Sequence, residues 1–318
     1  MAQAHKQITL FENPHELERV VNVASVPQRS PFRYPGGKTW LVPRVRKWLF
    51  ARRPVEFVEP FAGGGIVSLT VAAEGLAERV VMVELDEQVA AVWETILTAG
   101  EGEWLANRIT SFELTYESLI QELSKKPRSV REKAFQTILK NRTFHGGILA
   151  PGSAPLKHGE NGKGVTSRWY PETLKNRILE IHKIRERITF ICGDGIQAMK
   201  DRARQSDTTF FIDPPYTAAG KRAGSRLYSH SVLDHEELFR VTSTVKGDFL
   251  MTYDDADGVR ELAAHYRFEM KLVAMKNTHH AKMNELLIGR NLDWVNGSAA
   301  RVSGPQAVVS SVPEIKET

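Results

Sequence analysis

Apolar and polar positions from Val55 to Glu84 follow two rhythms in turn. Val55, Phe57 and Val58 make a short apolar run that breaks at Glu59-Pro60, residues 66–73 form a longer helical run, and residues 79–83 make a second short run ending at Glu84. Short runs bounded by Gly and Pro read as strands buried on both faces, and the stretch between them as a crossover helix. Strand, glycine-rich turn and helix make the first unit of a doubly wound α/β sheet. The same strand signature returns at residues 188–192, 210–212 and 249–253. Helices are expected over 89–97, after Gly195, over 233–244 with Asp234 as N-cap, and over 259–264. Residues 266–275 and 285–289 read as a closing antiparallel pair. Near the start, Trp40, Leu41, Val45, Trp48 and Leu49 recur at helical spacing, which puts Lys38 near a helix N-terminus.

Between residues 101 and 187 the alternation stops. Residues 112–123, 130–140 and 174–184 read as helices, and 141–169 as a long loop carrying Arg142, His145, Lys157, Lys163 and Arg168 beside Phe144, Trp169 and Tyr170. A loop of that length in a compact protein is usually functional or disordered, and basic and aromatic side chains together suit nucleic acid. The expected organisation is a loose leader over 1–29, a discontinuous catalytic domain over 30–100 and 188–295, an inserted recognition segment over 101–187, and a disordered tail over 296–318.

Composition narrows the class. The 318 residues are 42% hydrophobic and 25% charged, as in soluble globular proteins. No run approaches the roughly 18 apolar residues of a membrane span, and the acid-bearing N-terminal stretch does not look like a signal peptide. A single cysteine, Cys192, excludes an internal disulfide and a multi-cysteine zinc site, and a reducing cytoplasm is the expected home. Residues 28–53 hold eight Arg or Lys and no acid, and residues 101–190 hold sixteen bases against ten acids. The total is only +5, so the rest of the chain carries −9. Segregation of this kind suggests a polyanion-facing surface on an acidic body.

Candidate chemistry collects at strand ends. Glu84, Asp194 and Asp213 each follow an expected strand, at the rim where open α/β sheets bind ligands. Glu84 lies nineteen residues past Gly65, the place of a ribose-binding acid in such folds. Gly63-Gly64-Gly65 does not spell the dinucleotide fingerprint, so a nucleoside-bearing cofactor without a diphosphate fits better. Asp213-Pro214-Pro215-Tyr216 ends its strand abruptly, because proline cannot donate to a ladder. A carboxylate, proline carbonyls and an aromatic face there suit a planar, amino-bearing substrate. His279-His280 reads as a polar turn rather than a metal site.

In order, Tyr34-Pro35-Gly36-Gly37-Lys38, Glu59 to Gly65, Glu84, Gly193-Asp194 and Asp213 to Tyr216 resemble the motifs of the Dam-like (alpha-class) DNA adenine-N6 methyltransferases, which use S-adenosylmethionine. The resemblance runs from about Arg33 to Asn291 and includes Asn141-Arg142, residues 227–230 and Glu285-Leu286-Leu287. It implies a Rossmann-like seven-stranded methyltransferase sheet with a terminal antiparallel hairpin, plus a helical target-recognition insertion. It further implies that Tyr34, Lys38, Phe61, Gly63, Gly65, Glu84, Asp194 and Asp213 hold the cofactor. Asp213, Pro214 and Tyr216 would be catalytic, and Asn141 and Arg142 would contact double-stranded DNA. The expected protein is a bacterial or phage-encoded monomer that needs no metal and has room for a restriction endonuclease as partner. Glu84 stands where an aspartate is more usual, and residues 145–152 depart from the GATC-methylating members, so that site is not carried over.

Other readings use the same residues differently. N4-cytosine or RNA adenine methylation would share the acid-Pro-Pro-Tyr chemistry, and a catalytically silent nucleic-acid-binding module would keep the fold alone. C5-cytosine chemistry needs a cysteine nucleophile after a proline, whereas Cys192 lies between Ile191 and Gly193. A zinc deaminase lacks its paired cysteines here, and a nicotinamide oxidoreductase lacks its fingerprint.

Overall fold

Seven strands pair in the order β3-β2-β1-β4-β5-β7-β6. They are β1 (Glu56–Glu59), β2 (Arg79–Glu84), β3 (Ile188–Cys192), β4 (Thr208–Ile212), β5 (Asp248–Asp254), β6 (Glu269–Lys276) and β7 (Lys282–Gly289). The structure, a computed structural model, describes residues 26–34, 36–157, 159, 162–215, 233–276 and 282–296. The first five strands are parallel, and β7 enters antiparallel between β5 and β6. This is a Rossmann-like seven-stranded sheet with a terminal antiparallel hairpin, as the resemblance implied.

Alternation along each strand divides two cores. Phe57, Val80, Met82, Phe211, Leu250 and Leu287 enter one cluster, while Val58, Val81, Val83, Phe210, Ile212 and Met251 enter the other. Both faces of the central strands are covered, so residues 57–58, 80–83 and 210–212 read as short apolar runs. On the first face lie α1 (Val42–Arg52), α2 (Ile66–Glu74) and α3 (Glu87–Leu97); on the second lie α8 (Gly195–Arg202), α9 (His235–Thr244) and α10 (Asp257–His265). Asp234 caps α9 by accepting the Glu237 amide at 2.9 Å, as expected.

The stretch from 101 to 187 folds as α4 (Glu101–Thr110), α5 (Tyr116–Ser124), α6 (Val130–Thr143) and α7 (Pro171–Lys183). Leu105, Ile109, Phe135, Ile138, Leu174 and Ile178 from these helices join the first core cluster, so the stretch shares its core with the sheet. The described residues of 141–169 hold more regular structure than a plain loop. Helix α6 runs on to Thr143, 3-10 turns form at His145–Gly147 and Gly164–Arg168, and Ala150, Leu156 and Val165 are buried. Packing also begins before residue 30, with Val26 buried in the first core. No helix among the described residues is long and apolar enough to cross a membrane.

Candidate active site

Four carboxylates stand at the carboxyl ends of neighbouring strands: Glu59 and Glu84 as the last residues of β1 and β2, Asp194 two residues past β3, and Asp213 one past β4. Strands β1 and β4 are neighbours, and the winding of the sheet reverses between them. Ligands bind at such a switch point because the loops on its two sides diverge and leave a crevice.

The turn from Phe61 to Gly65 is built tightly. Gly63 has φ of 47°, and a Cβ there would lie 2.6 Å from the Tyr34 ring; one at Gly65, with φ of 63°, would lie 2.6 Å from Met82. The Gly63 carbonyl accepts from the Trp93 indole at 2.9 Å, and the Gly64 carbonyl from the Ser30 hydroxyl at 2.5 Å. Glu84 closes the turn, its two oxygens accepting the Gly63 and Asp86 amides at 2.8 Å each. Burial raises the Glu84 pKa, while those amide bonds oppose the rise. Each carboxylate oxygen has a second lone pair, so Glu84 keeps acceptor capacity. Phe61 is half-buried against the second core, and the exposed Asp194 caps α8 by accepting the Ile196 amide at 2.8 Å.

Glu59 is buried and accepts the Ser68 amide at 3.0 Å. Burial pushes its carboxyl up to about 8, with Asp213 and Glu84 adding to the rise and the Ser68 bond opposing it.

Lys38 gathers the other side of the rim. Its Nζ lies 2.9 Å from Asp213 Oδ1 and 2.9 Å from Glu285 Oε1, and it donates to the Gly36 carbonyl at 3.2 Å. Burial alone would lower its pKa, but the two carboxylates more than reverse this and hold the ammonium charged. Thr252 Oγ1 donates to the same Asp213 oxygen at 2.8 Å. Pro214 is buried beside it, and Tyr216 lies outside the described residues, as do residues 227–230 and His279-His280.

Glu285 and Thr252 were not singled out as site residues from sequence. Glu285 shares its strand face with buried Leu287 and stands opposite Asp254 in the ladder. An acid on a buried face opposite another acid calls for a cation, and that was the signal available once the register is known.

Asn141 and Arg142 sit where the insertion meets the segment leading into Lys38. Asn141 is buried; its Oδ1 accepts the Arg33 amide at 2.8 Å, and its Nδ2 donates to the Arg33 and Gly147 carbonyls at 2.8 and 2.9 Å. Arg142 is buried as well and donates from Nη2 to the Pro31 carbonyl.

The family model for D12 class N6 adenine-specific DNA methyltransferases matches residues 34–147, which hold Tyr34, Lys38, the glycine turn, Glu84, Asn141 and Arg142. Asp194 and Asp213 lie beyond the match. No curated protein matches the chain. Among solved structures, spermidine synthase from Thermotoga maritima aligns at 9% identity and TM-score 0.34, over 86% of this chain and 60% of that one. Precorrin-6y C5,15-methyltransferase from Geobacter metallireducens GS-15 aligns at 10% identity and TM-score 0.31, over 77% of this chain and 86% of that one. Over residues 34–147 the chain is similar to the D12 class N6 adenine-specific DNA methyltransferases.

Proposed function

We propose that the protein transfers a methyl group from S-adenosylmethionine to the N6 amino group of an adenine flipped out of duplex DNA. The observation that carries this reading is Asp213, an acceptor at the switch point with Lys38 2.9 Å away. The family match over residues 34–147 supports the substrate class.

The rim suits the cofactor by its donor and acceptor set. Glu84 and Asp194 follow adjacent strands and offer acceptors for ribose hydroxyls and an adenine amino group. The turn at Phe61, Gly63 and Gly65, with Tyr34 packed against it, is held beside Glu84 by the Gly63 amide. When bound, the cofactor supplies a methyl group activated by its sulfonium.

Adenine N6 is a weak nucleophile because its lone pair is delocalised into the ring. Asp213 and the Pro214 carbonyl each accept one N6–H, which draws that lone pair out of conjugation. The same acceptors stabilise the positive charge that grows on N6 as the bond forms. Lys38, anchored by Glu285, places its ammonium 2.9 Å from Asp213, and Thr252 fixes the orientation of that carboxylate. Tyr216 stacks on the extruded base, which must leave the helix before its amino group is accessible.

Expression in a host free of DNA methylation, followed by nucleoside mass spectrometry, tests the reading. N6-methyladenine in DNA is expected. N4-methylcytosine, or methyladenine found only in RNA, would overturn it.

A further inference from the structure

Where residues 30–33 meet α7, a cavity of about 330 Å³ is lined by Arg33, Arg142, Arg168 and Arg177 with Tyr170 and Thr173, and no acid lines it among the described residues. Arg142 is more than nine-tenths buried and its Nε has no hydrogen-bond partner among the described residues, although Nη2 holds the Pro31 carbonyl. Arg177 donates from Nη1 to the Ser30 carbonyl at 3.0 Å, which brings a second guanidinium to the same wall. Burial, then Arg177 and Arg33, push the Arg142 pKa down to about 9, so it stays charged at neutral pH.

The Arg142 and Arg177 guanidiniums repel one another, and burial makes the repulsion harder to screen. Their planar forks match the oxygens of a phosphate in two-pronged fashion. We propose that this cavity seats a phosphodiester group of the DNA backbone. The proposal rests on the DNA reading above and deepens it, because it assigns Arg142 to affinity and register rather than to base choice. A phosphate contact positions the duplex and carries no sequence information of its own.

The test is fluorescence anisotropy of a labelled duplex with the full chain over a salt series, comparing wild type, Arg177→Gln and Arg142→Lys. In Arg177→Gln the slope of log K against log salt should fall in magnitude by about one, with binding weakened alike on duplexes with and without the methylated sequence. Arg142→Lys keeps the charge but loses the fork, so binding should weaken severalfold with the slope retained. A slope and affinity unchanged in Arg177→Gln, with its melting curve intact, would overturn the proposal. If the duplex is also methylated, only the cavity assignment fails; if wild type neither binds nor methylates duplex DNA, the functional reading fails with it. Inorganic phosphate that stabilises wild type but not Arg177→Gln, with the duplex slope unmoved, would assign the cavity to free phosphate and overturn the DNA source.

Discussion

Lys38 and Arg142 are sealed to nearly the same degree, with 4% and 6% of their surfaces exposed, yet their surroundings are opposite. Lys38 lies between two carboxylates, each 2.9 Å from its nitrogen. Arg142 meets a backbone carbonyl and shares a cavity wall with three further guanidiniums. A buried cation is tolerable only when its lost hydration is replaced. Around Lys38 the chain supplies the replacement itself, so the rim is electrostatically complete before any substrate arrives. Around Arg142 only a carbonyl does so within the described residues, and the rest is left to an anion from outside. Preorganised chemistry beside an unfinished binding surface is a sensible division for the proposed activity, whose substrate is a polyanion.

The largest expected effect removes the acceptor at the complete end. Asp213→Ala should lower methyl transfer about 10³-fold, near the upper range for deleting one transition-state-stabilising group, while cofactor affinity changes only severalfold. Turnover within tenfold of wild type would remove Asp213 from the chemistry. Glu285→Gln keeps the shape but leaves Lys38 one carboxylate, and it should cost about 3 kcal/mol in urea denaturation, as breaking a buried pair does. Unchanged stability would mean that Asp213 alone compensates Lys38. Asn141→Ala leaves the Arg33 backbone and the Gly147 carbonyl without their amide partner, for about 2 kcal/mol of stability. Its salt slope for DNA should stay at the wild-type value, in contrast to Arg177→Gln, and a slope lowered as in that variant would make Asn141 a phosphate contact instead.

The difference between these residues also sets how much could be read from sequence. β4 was legible because it is buried on both faces, which writes the continuous apolar run Phe210-Phe211-Ile212 at its end. Asp213 was legible because two prolines must end the ladder just after it. Glu285 acquires its meaning only from a pairing that brings β7 beside β5, far from Lys38 in the chain. Asn141 was singled out because Asn141-Arg142 resembles a DNA-contacting stretch of the family, not because of its place in the fold. Its partner Arg33 is 108 residues away, which no local pattern reveals. Helix α4 was not foreseen, since Leu105, Ala106 and Ile109 make a narrow stripe in an otherwise polar segment. The turns that order residues 145–168 are too short to leave a period.

Glu59 completes the comparison, with an effect that is absent at acid pH and grows unit by unit. Like Arg142 it is buried without an opposite charge among its determinants, since burial, Asp213 and Glu84 all raise its pKa. Unlike a guanidinium, a carboxyl can escape the problem by keeping a proton. Its pKa rises from 4.5 in the unfolded chain to about 8 in the native state. The native protein therefore binds the extra proton, and the stability linked to this group is full below 4.5 and lost as pH rises toward 8. Glu59→Gln mimics the protonated form and does not titrate. Its stability should match wild type near pH 4.5 and then gain on it by about 1 kcal/mol per pH unit up to about 8. Urea denaturation of both proteins at half-unit intervals reads that difference directly, and other titrating groups cancel in the subtraction. Parallel stability profiles would mean that Glu59 is ionised in the native state, and that the rim tolerates a buried anion by the same outside compensation here assigned to Arg142.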